Sequence, residues 1–440
     1  MHRRIYGAEH ELTMTAFSDM AVAADALIGA SAKVMITLLD HTLYVDRTPM
    51  AGISLEFNGL ITDLQDRGVE SLIFETPVRS SDCGALAAFL GGSGDPPTGS
   101  IVLNDGSWAR TDLEASPTED LRHAYTTSLI ALRSVGAAVQ SGTGLELLPT
   151  TAAVRSLLEQ VIAQPEAAFL LTTIKSHHEY TFYHSVNTAI LAIALGRLIG
   201  LDREDQLVLG VGALLHDIGK IRVSASILQH PGRLRPGDWA EIKLHPRIGA
   251  EAIIAASGRG IEAAAVVALE HHAGFDGAGY PTIPDGHHDH DGHTARKAGS
   301  SLHLFSRIVA VVDTYDAVTT RRSYRRAERP STALHLLLSG AGRSHDPDCV
   351  QAFIGMMGVY PPGSRLLLDD GRIAVAIHST GGSATHPTAA IVTDADGKPL
   401  AQPELIQIDP RRVVDQLSPG DHAIDPSALI EQIQGGPFAA

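Results

Sequence analysis

Between Glu119 and Gly358 one pattern recurs: apolar residues at helical spacing, in the runs Leu121 to Val139, Thr151 to Ile162, Val186 to Ile199, Asp205 to Leu215, Ile261 to Glu270, Leu302 to Thr319 and Ser331 to Leu338. A stripe of that period must be buried against another element, so runs in series predict a domain built of helices packed on helices. The flanks read differently. Residues 12 to 40 read as one helix, with Leu12, Met14, Phe17, Met20, Val22, Leu27 and Ile28 near helical spacing. Short strands are predicted at Thr42 to Val45 and Ser71 to Phe74, around a helical stretch near Leu60 to Asp66, so the first 110 residues read as a small α+β unit. The Gly/Pro/Ser-rich stretch 91–100 marks either a boundary or an internal excursion. After Tyr360, Pro361-Pro362-Gly363 stops the last helix. Strand candidates Arg365 to Leu368 and Ile373 to Ile377 follow, joined by Asp369-Asp370-Gly371, and another pair flanks Ala395-Asp396-Gly397. The tail therefore reads as a small β-rich appendage.

At 440 residues the chain has material for two or three domains. No stretch reaches the roughly eighteen apolar residues needed to cross a bilayer, and MHRRIYGAEHEL lacks an apolar signal core, so an unexported, cytoplasmic protein is expected. Cys83 and Cys349 are the only cysteines, too few for a disulfide framework, and both read as structural. A net charge of -16 argues against broad contact with nucleic acid polymers or anionic membranes. Any phosphate ligand must then be held locally, and the one basic run, Arg321, Arg322, Arg325 and Arg326, is either a solvated face or a small anion site.

The 22 histidines become informative only through their positions. Leu214-Leu215-His216-Asp217-Ile218-Gly219-Lys220 ends an apolar run with a histidine and an aspartate side by side. Neighbouring helical residues diverge by about 100°, so the carboxylate can bridge two metals while the imidazole binds one. Alone, the segment reads equally well as a plain helix end, with His216 favouring the dipole, Gly219 capping and Asp217 a surface charge. Other ligand types stand at element edges: His184, His245 before Pro246, and the pair His271-His272. Asp313 follows Ile308-Val309-Ala310-Val311-Val312, where an unpaired carboxylate would be costly and a metal would remove that cost.

Over roughly residues 165 to 360 these pieces resemble the HD-GYP subfamily of the HD phosphohydrolases: YTFYHSVNTAIL, LLHDIGK, the HP at 245, HHAGFDGAGYP and SRIVAVVDTYDAVTTRRSYR, in that order. His184, His216-Asp217 and Asp313 match the general HD pattern, while His245, His271, His272 and Gly279-Tyr280-Pro281 point to HD-GYP. The expected fold class is thus mainly α, a helical HD-type domain with a small N-terminal α+β domain and a small β-rich C-terminal appendage. The expected divisions are 1–118, a helical connector 119–164, a catalytic domain 165–360 and an appendage 361–440.

The resemblance implies a metal-dependent phosphodiesterase that hydrolyses cyclic di-GMP with a hydroxide bridging two divalent metals, the end product being either pGpG or GMP. It implies one metal on His184, His216, Asp217 and Asp313, and a second that shares Asp217 and adds His245, His271 and His272. Imidazole and carboxylate ligands suit iron, manganese, zinc or nickel, and the family's usage puts iron or manganese first. Asp217 and Lys220 are the expected catalytic residues, Lys220 facing charge that grows on the phosphoryl oxygens. Lys220, Tyr280, Arg322 and Arg325 are the expected substrate contacts, the arginine fork suiting bidentate phosphate binding. Through the GYP loop a diguanylate cyclase or another signalling protein is a candidate partner, and a dimer is a candidate assembly.

The chain also departs from the pattern. Ala273-Gly274 follow the His pair where relatives commonly carry Glu-Arg, Ser323 stands where proline is usual, and Tyr180 occupies the position from which some relatives offer a third-metal glutamate. Two metals are therefore expected. The departures leave an alternative open, a catalytically weak domain acting as a cyclic di-GMP sensor or protein-interaction module. Between the GYP motif and Arg307, His287, His288, His290 and His293 read as a solvated loop, because no apolar residues hold them in place.

Overall fold

The structure is a computed structural model that describes residues 11–28, 33–39, 42–45, 48–49, 61, 64, 67–92, 94–104, 117–143, 145–173, 180–228, 230, 232, 234–256, 261–288, 294–320, 327–379 and 387–418. The chain divides into two units, residues 1–119 and 120–440.

In the first unit the helices Glu11–Ile28 and Ser80–Leu90 pack on each other and on a five-stranded antiparallel sheet. Its strand order is Thr48–Pro49, Thr42–Val45, Lys33–Leu39, Ser71–Glu75, Ile101–Leu103. The helix expected over 12–40 ends at Ile28, and 33–39 is a strand. The segment KVMITLL is apolar at both helical and strand spacings, so its periodicity does not discriminate. Pairing on both sides does: Ile36 lies opposite Val45 on one neighbour and Leu72 on the other. Val34, Ile36 and Leu38 then alternate onto the face that packs with Phe74, Leu86 and Ile101. The stretch 91–100 lies between Ser80–Leu90 and Ile101–Leu103, inside this unit, so it is an excursion and not a boundary. Of the stretch expected near 60–66, Ile61 and Leu64 are helical and the rest lies outside the described residues.

The second unit is a helical body with a sheet at its C-terminal end. The helices Tyr180–Leu198 and Arg203–Leu215 form its centre. Leu148–Ala163 packs on both, Leu304–Thr319 on the first and Ile261–Glu270 on the second. Ile190, Leu191, Ile193 and Leu195 are completely buried there. Asp202 caps the second central helix by accepting from the Asp205 amide at 2.9 Å. The tail forms a five-stranded antiparallel sheet in the order Pro399–Gln407, Pro387–Thr393, Ile373–Ser379, Arg365–Leu368, Val413–Leu417. Leu366, Leu368, Ala374, Ala376, Ala389 and Ile391 alternate onto one buried face. Among the described residues no helix is long and apolar enough to cross a membrane.

Candidate metal centre

The elements of the helical body deliver their ligand-type side chains to one buried space. His184 was expected just ahead of its helix. It lies inside it, since the helix starts at Tyr180, and is completely buried. His216 caps Arg203–Leu215, and Asp217 precedes the 3-10 turn Ile218–Arg222 that carries Lys220. His245 opens the helix His245–Ile254, His271 and His272 follow Ile261–Glu270, and Asp313 sits within Leu304–Thr319. Gly219 sets the spacing between two of these elements: a Cβ there would stand 2.0 Å from the His245 carbonyl oxygen. Only glycine lets the turn after Asp217 lie against the start of the His245 helix.

Two groups of donor atoms result, each spanning no more than 4.8 Å: Asp217 with His245, His271 and His272, and Asp217 with His184 and His216. Asp217 belongs to both. Its Oδ1 lies 3.2 Å from His245 Nε2 and 3.6 Å from His271 Nε2, and its Oδ2 lies 3.5 Å from His216 Nε2 and 3.8 Å from His184 Nε2. Asp313 Oδ1 is 2.9 Å from His184 Nε2 and 3.9 Å from His216 Nε2, while its Oδ2 is 4.0 Å from His272 Nδ1. Lys220 Nζ forms an ion pair with Asp217 Oδ2. Tyr280 closes one side, its ring centroid 4.7 Å from that of His272, with Lys243 Nζ 5.6 Å from the Tyr280 centroid. Tyr280 owes its place partly to Gly279, whose positive φ of 88° and backbone contact (a Cβ would meet the His272 carbonyl at 2.3 Å) admit no side chain.

The hydrogen bonds show that this space suits a divalent metal. Nδ1 of His216, His245 and His271 lies 2.7, 2.6 and 2.9 Å from the backbone carbonyls of Ala213, Ile242 and Ala268. A carbonyl only accepts, so each Nδ1 carries the proton and each Nε2 presents a lone pair inward. His245 Nε2 and His271 Nε2 are 3.2 Å apart. A proton between them would relieve two facing lone pairs, but burial pushes His245 down and His271 down to about 4. Neutral imidazole lone pairs beside a shared carboxylate are a donor set that suits a divalent cation. His216 Nε2 and Asp217 Oδ1 are likewise buried and make no hydrogen bond. Burial pushes the Asp217 carboxyl up, yet the Lys220 ammonium and the facing imidazoles outweigh it and hold the group well below its ordinary value.

Further shells support the ligand-type residues, and the sequence reading missed them. His184 Nδ1 lies 2.7 Å from Asp316 Oδ2, Asn187 Nδ2 donates to Asp316 Oδ1 at 3.2 Å, and the Tyr125 hydroxyl donates to Asn187 Oδ1 at 2.8 Å. Burial pushes His184 down, but hydrogen bonds to Asp313 and Asp316 outweigh it and hold the imidazole up at about 9. Glu270, also buried, accepts from Lys297 Nζ and from the His303 amide, both at 2.9 Å, and ties the segment after the GYP motif to the helix that Glu270 ends. The signal for Asp316 and Asn187 was helical spacing alone, each standing three residues beyond a ligand-type residue.

Arg322, Ser323 and Arg325 lie outside the described residues. The histidine-rich segment is not a plain loop: Pro284–His288 and Thr294–Arg296 pair as antiparallel strands. His290 and His293 lie outside the described residues, as do the side chains of His287 and His288.

An HD domain family model matches residues 168–349, the stretch that carries every one of these ligand-type residues. Cyclic di-GMP phosphodiesterase PA4108 of Pseudomonas aeruginosa is 32% identical over 304 residues, 67% of this chain and 67% of that protein. The cyclic di-GMP phosphodiesterase response regulator RpfG of Xanthomonas campestris is 38% identical over 156 residues, 36% of this chain and 38% of its own length. The 3'3'-cGAMP-specific phosphodiesterase 3 of Vibrio cholerae is 29% identical over 182 residues, 41% of this chain and 36% of its own length. The helical fold and the buried histidine–aspartate cluster define a hydrolase domain fit for divalent metals. The chain belongs to the HD-GYP family of HD-domain proteins.

Proposed function

We propose that this chain is a metal-dependent phosphodiesterase that hydrolyses cyclic di-GMP to pGpG, with GMP as the alternative end product. The observation that carries the reading is one buried carboxylate, Asp217, shared by two groups of inward-facing imidazoles. The names of the relatives support the substrate and favour turnover over a binding-only role. His184, His216, Asp217 and Asp313 would hold one metal, and His245, His271 and His272 with the shared Asp217 the other. Iron or manganese is the proposed pair, with zinc or nickel fitting the same donors. Bound there, the metals supply a water that ionises near neutral pH and positive charge opposite the phosphoryl oxygens.

The protein's own groups do the rest. Asp217 is held ionised, Lys220 stands beside it at the edge of the buried space with 17% of its side chain exposed, and Tyr280 walls the entrance beside His272. Lys220, Tyr280, Arg322 and Arg325 are the proposed substrate contacts, and a signalling protein at the GYP loop is the proposed macromolecular partner. The divisions at 118, 164 and 360 are kept as a proposed domain plan. Purified protein loaded with iron or manganese is expected to convert cyclic di-GMP to pGpG, as followed by chromatography beside metal analysis of the same preparation. A full metal complement with no turnover in iron, manganese, nickel or zinc would sink the proposal.

Asp316 is proposed to orient His184 and raise its basicity, the usual part of a carboxylate behind a metal-binding imidazole. Asp316→Asn keeps the shape and removes the charge. It is expected to weaken metal retention by about 10–100-fold, measured as metal left after dialysis against graded chelator. Unaltered retention would leave Asp316 a packing residue.

The segment 287–293 is assigned no part in catalysis. The ligand-type residues on the helical body already stand together in position. Replacing His287, His288, His290 and His293 together by serine is expected to leave tightly bound metal and hydrolysis nearly unchanged. Loss of a tight metal in that variant would make the segment part of the centre.

A further inference from the structure

A cleft of about 410 Å³ opens beside His271 and His272, within the roughly 300–1,000 Å³ common for small-molecule sites. One wall carries Ala273, Gly274 and Gly279 and offers no side chain larger than a methyl group. Gly274 keeps this wall flat and Asp276 in place: a Cβ there would stand 2.8 Å from Asp276 Oδ1 and 3.0 Å from the Ala278 carbonyl oxygen. A second wall is the turn at Arg343 to His345. The Asp276 amide donates to the Arg343 carbonyl at 2.8 Å, so the two walls are joined at one end. His345, 8% exposed, is fixed on both nitrogens, Nδ1 2.9 Å from Ser344 Oγ and Nε2 2.9 Å from Thr314 Oγ1.

Two charged side chains line this cleft. Arg343 donates from one nitrogen to the Ser339 carbonyl at 2.7 Å, and its fork carries further N–H donors. Asp276 Oδ1 accepts from the Ala278 amide at 2.9 Å, and its carboxylate has acceptor capacity beyond that bond. No ion pair joins the two. A rigid, flat slot with a donor fork and a carboxylate is complementary to guanine, which presents O6 and N7 as acceptors and N1–H and the 2-amino group as donors. Adenine offers a donor where guanine has O6.

We propose that this cleft holds one guanine base of the substrate, with Arg343 donating to O6 and N7 and Asp276 accepting from N1–H and the 2-amino group. Both are then specificity-determining residues. The assignment rests on the phosphodiesterase reading only for the identity of the whole substrate, since the base contacts stand on the cleft's own residues.

Calorimetric titration of the full-length, metal-loaded protein with 5′-GMP, 5′-IMP and 5′-AMP tests it. The parent is expected to bind GMP best. Arg343→Met is expected to lower the preference for GMP over AMP by about fivefold to a hundredfold, the scale of one bidentate contact to a guanine edge. Asp276→Asn retains an oxygen for the Ala278 amide and is expected to erase the difference between GMP and IMP, which lacks the 2-amino group. Metal content should match the parent in both variants. Identical binding of the three nucleotides by the parent, or parental preferences in both variants, would overturn the proposal, as would metal loss in both. A parent that prefers GMP but leaves cyclic di-GMP intact sinks the hydrolase reading and keeps the base site. One that hydrolyses cyclic di-GMP yet binds GMP, IMP and AMP alike sinks the base site alone.

Discussion

Asp217→Ala is expected to abolish hydrolysis of cyclic di-GMP and to strip most of the tightly bound metal. The carboxylate is 1% exposed, and its two oxygens face His245 and His271 on one side and His184 and His216 on the other. Among the described residues no other side chain belongs to both donor groups. Alanine removes the shared negative charge and leaves the Lys220 ammonium, which paired with it, beside cations that lack neutralisation. Removing one partner of a buried charge cluster also destabilises the fold by about 3–5 kcal/mol, so the variant should be compared with Asp217→Asn, which preserves the side chain's volume. Metal analysis, product chromatography and a thermal melt on the same preparations separate loss of metal from loss of fold. A folded Asp217→Asn that keeps two metals and most of its activity would remove Asp217 from the proposed centre.

The second large effect is expected at Lys220. Its Nζ meets Asp217 Oδ2, and the side chain is 17% exposed, so it stands between the buried donor atoms and the outside. From there it can reach charge that develops on a phosphoryl group without being a metal ligand. Lys220→Ala is expected to retain both metals and to lower turnover by about a hundredfold or more, the scale for losing one preorganised charge-stabilising group. The pair of variants is diagnostic together: metal loss at position 217 with retention at 220 is the expected pattern. Equal metal loss in both would contradict the division of roles and make Lys220 a structural partner of Asp217.

How much of this was legible in one dimension follows from the range of each interaction. His216, Asp217, Gly219 and Lys220 sit within five consecutive residues, so their common role could be read from a short string. The apolar stretch before Asp313 marked that aspartate as buried and in need of a counter-charge, and in the structure it lies against His184 and His216. The helical runs were legible for the same local reason, because periodicity is a property of neighbours. Residues 33–39 were not, since KVMITLL satisfies two periods and only the flanking strands decide between them. Asp316 was passed over because its partner His184 is 132 positions away. Glu270 and Lys297 are 27 positions apart, with the whole GYP motif between them.

The sequence by itself determined which residue types could form a metal centre, the helical runs that lead to His216, His271 and Asp313, and the family to which the chain belongs, whereas the helix His245–Ile254 was not read. Spacing, hydrophobic period and the order of motifs are local quantities that survive without coordinates. Tertiary structure decided that Asp217 is the residue common to both donor groups, that backbone carbonyls set the proton on Nδ1 of three histidines, and that Arg343 and Asp276 line the same cleft. Those facts depend on distances of a few ångströms between segments far apart in the chain. Such distances are set by how helices pack, because the bonded backbone holds only near neighbours at fixed separation.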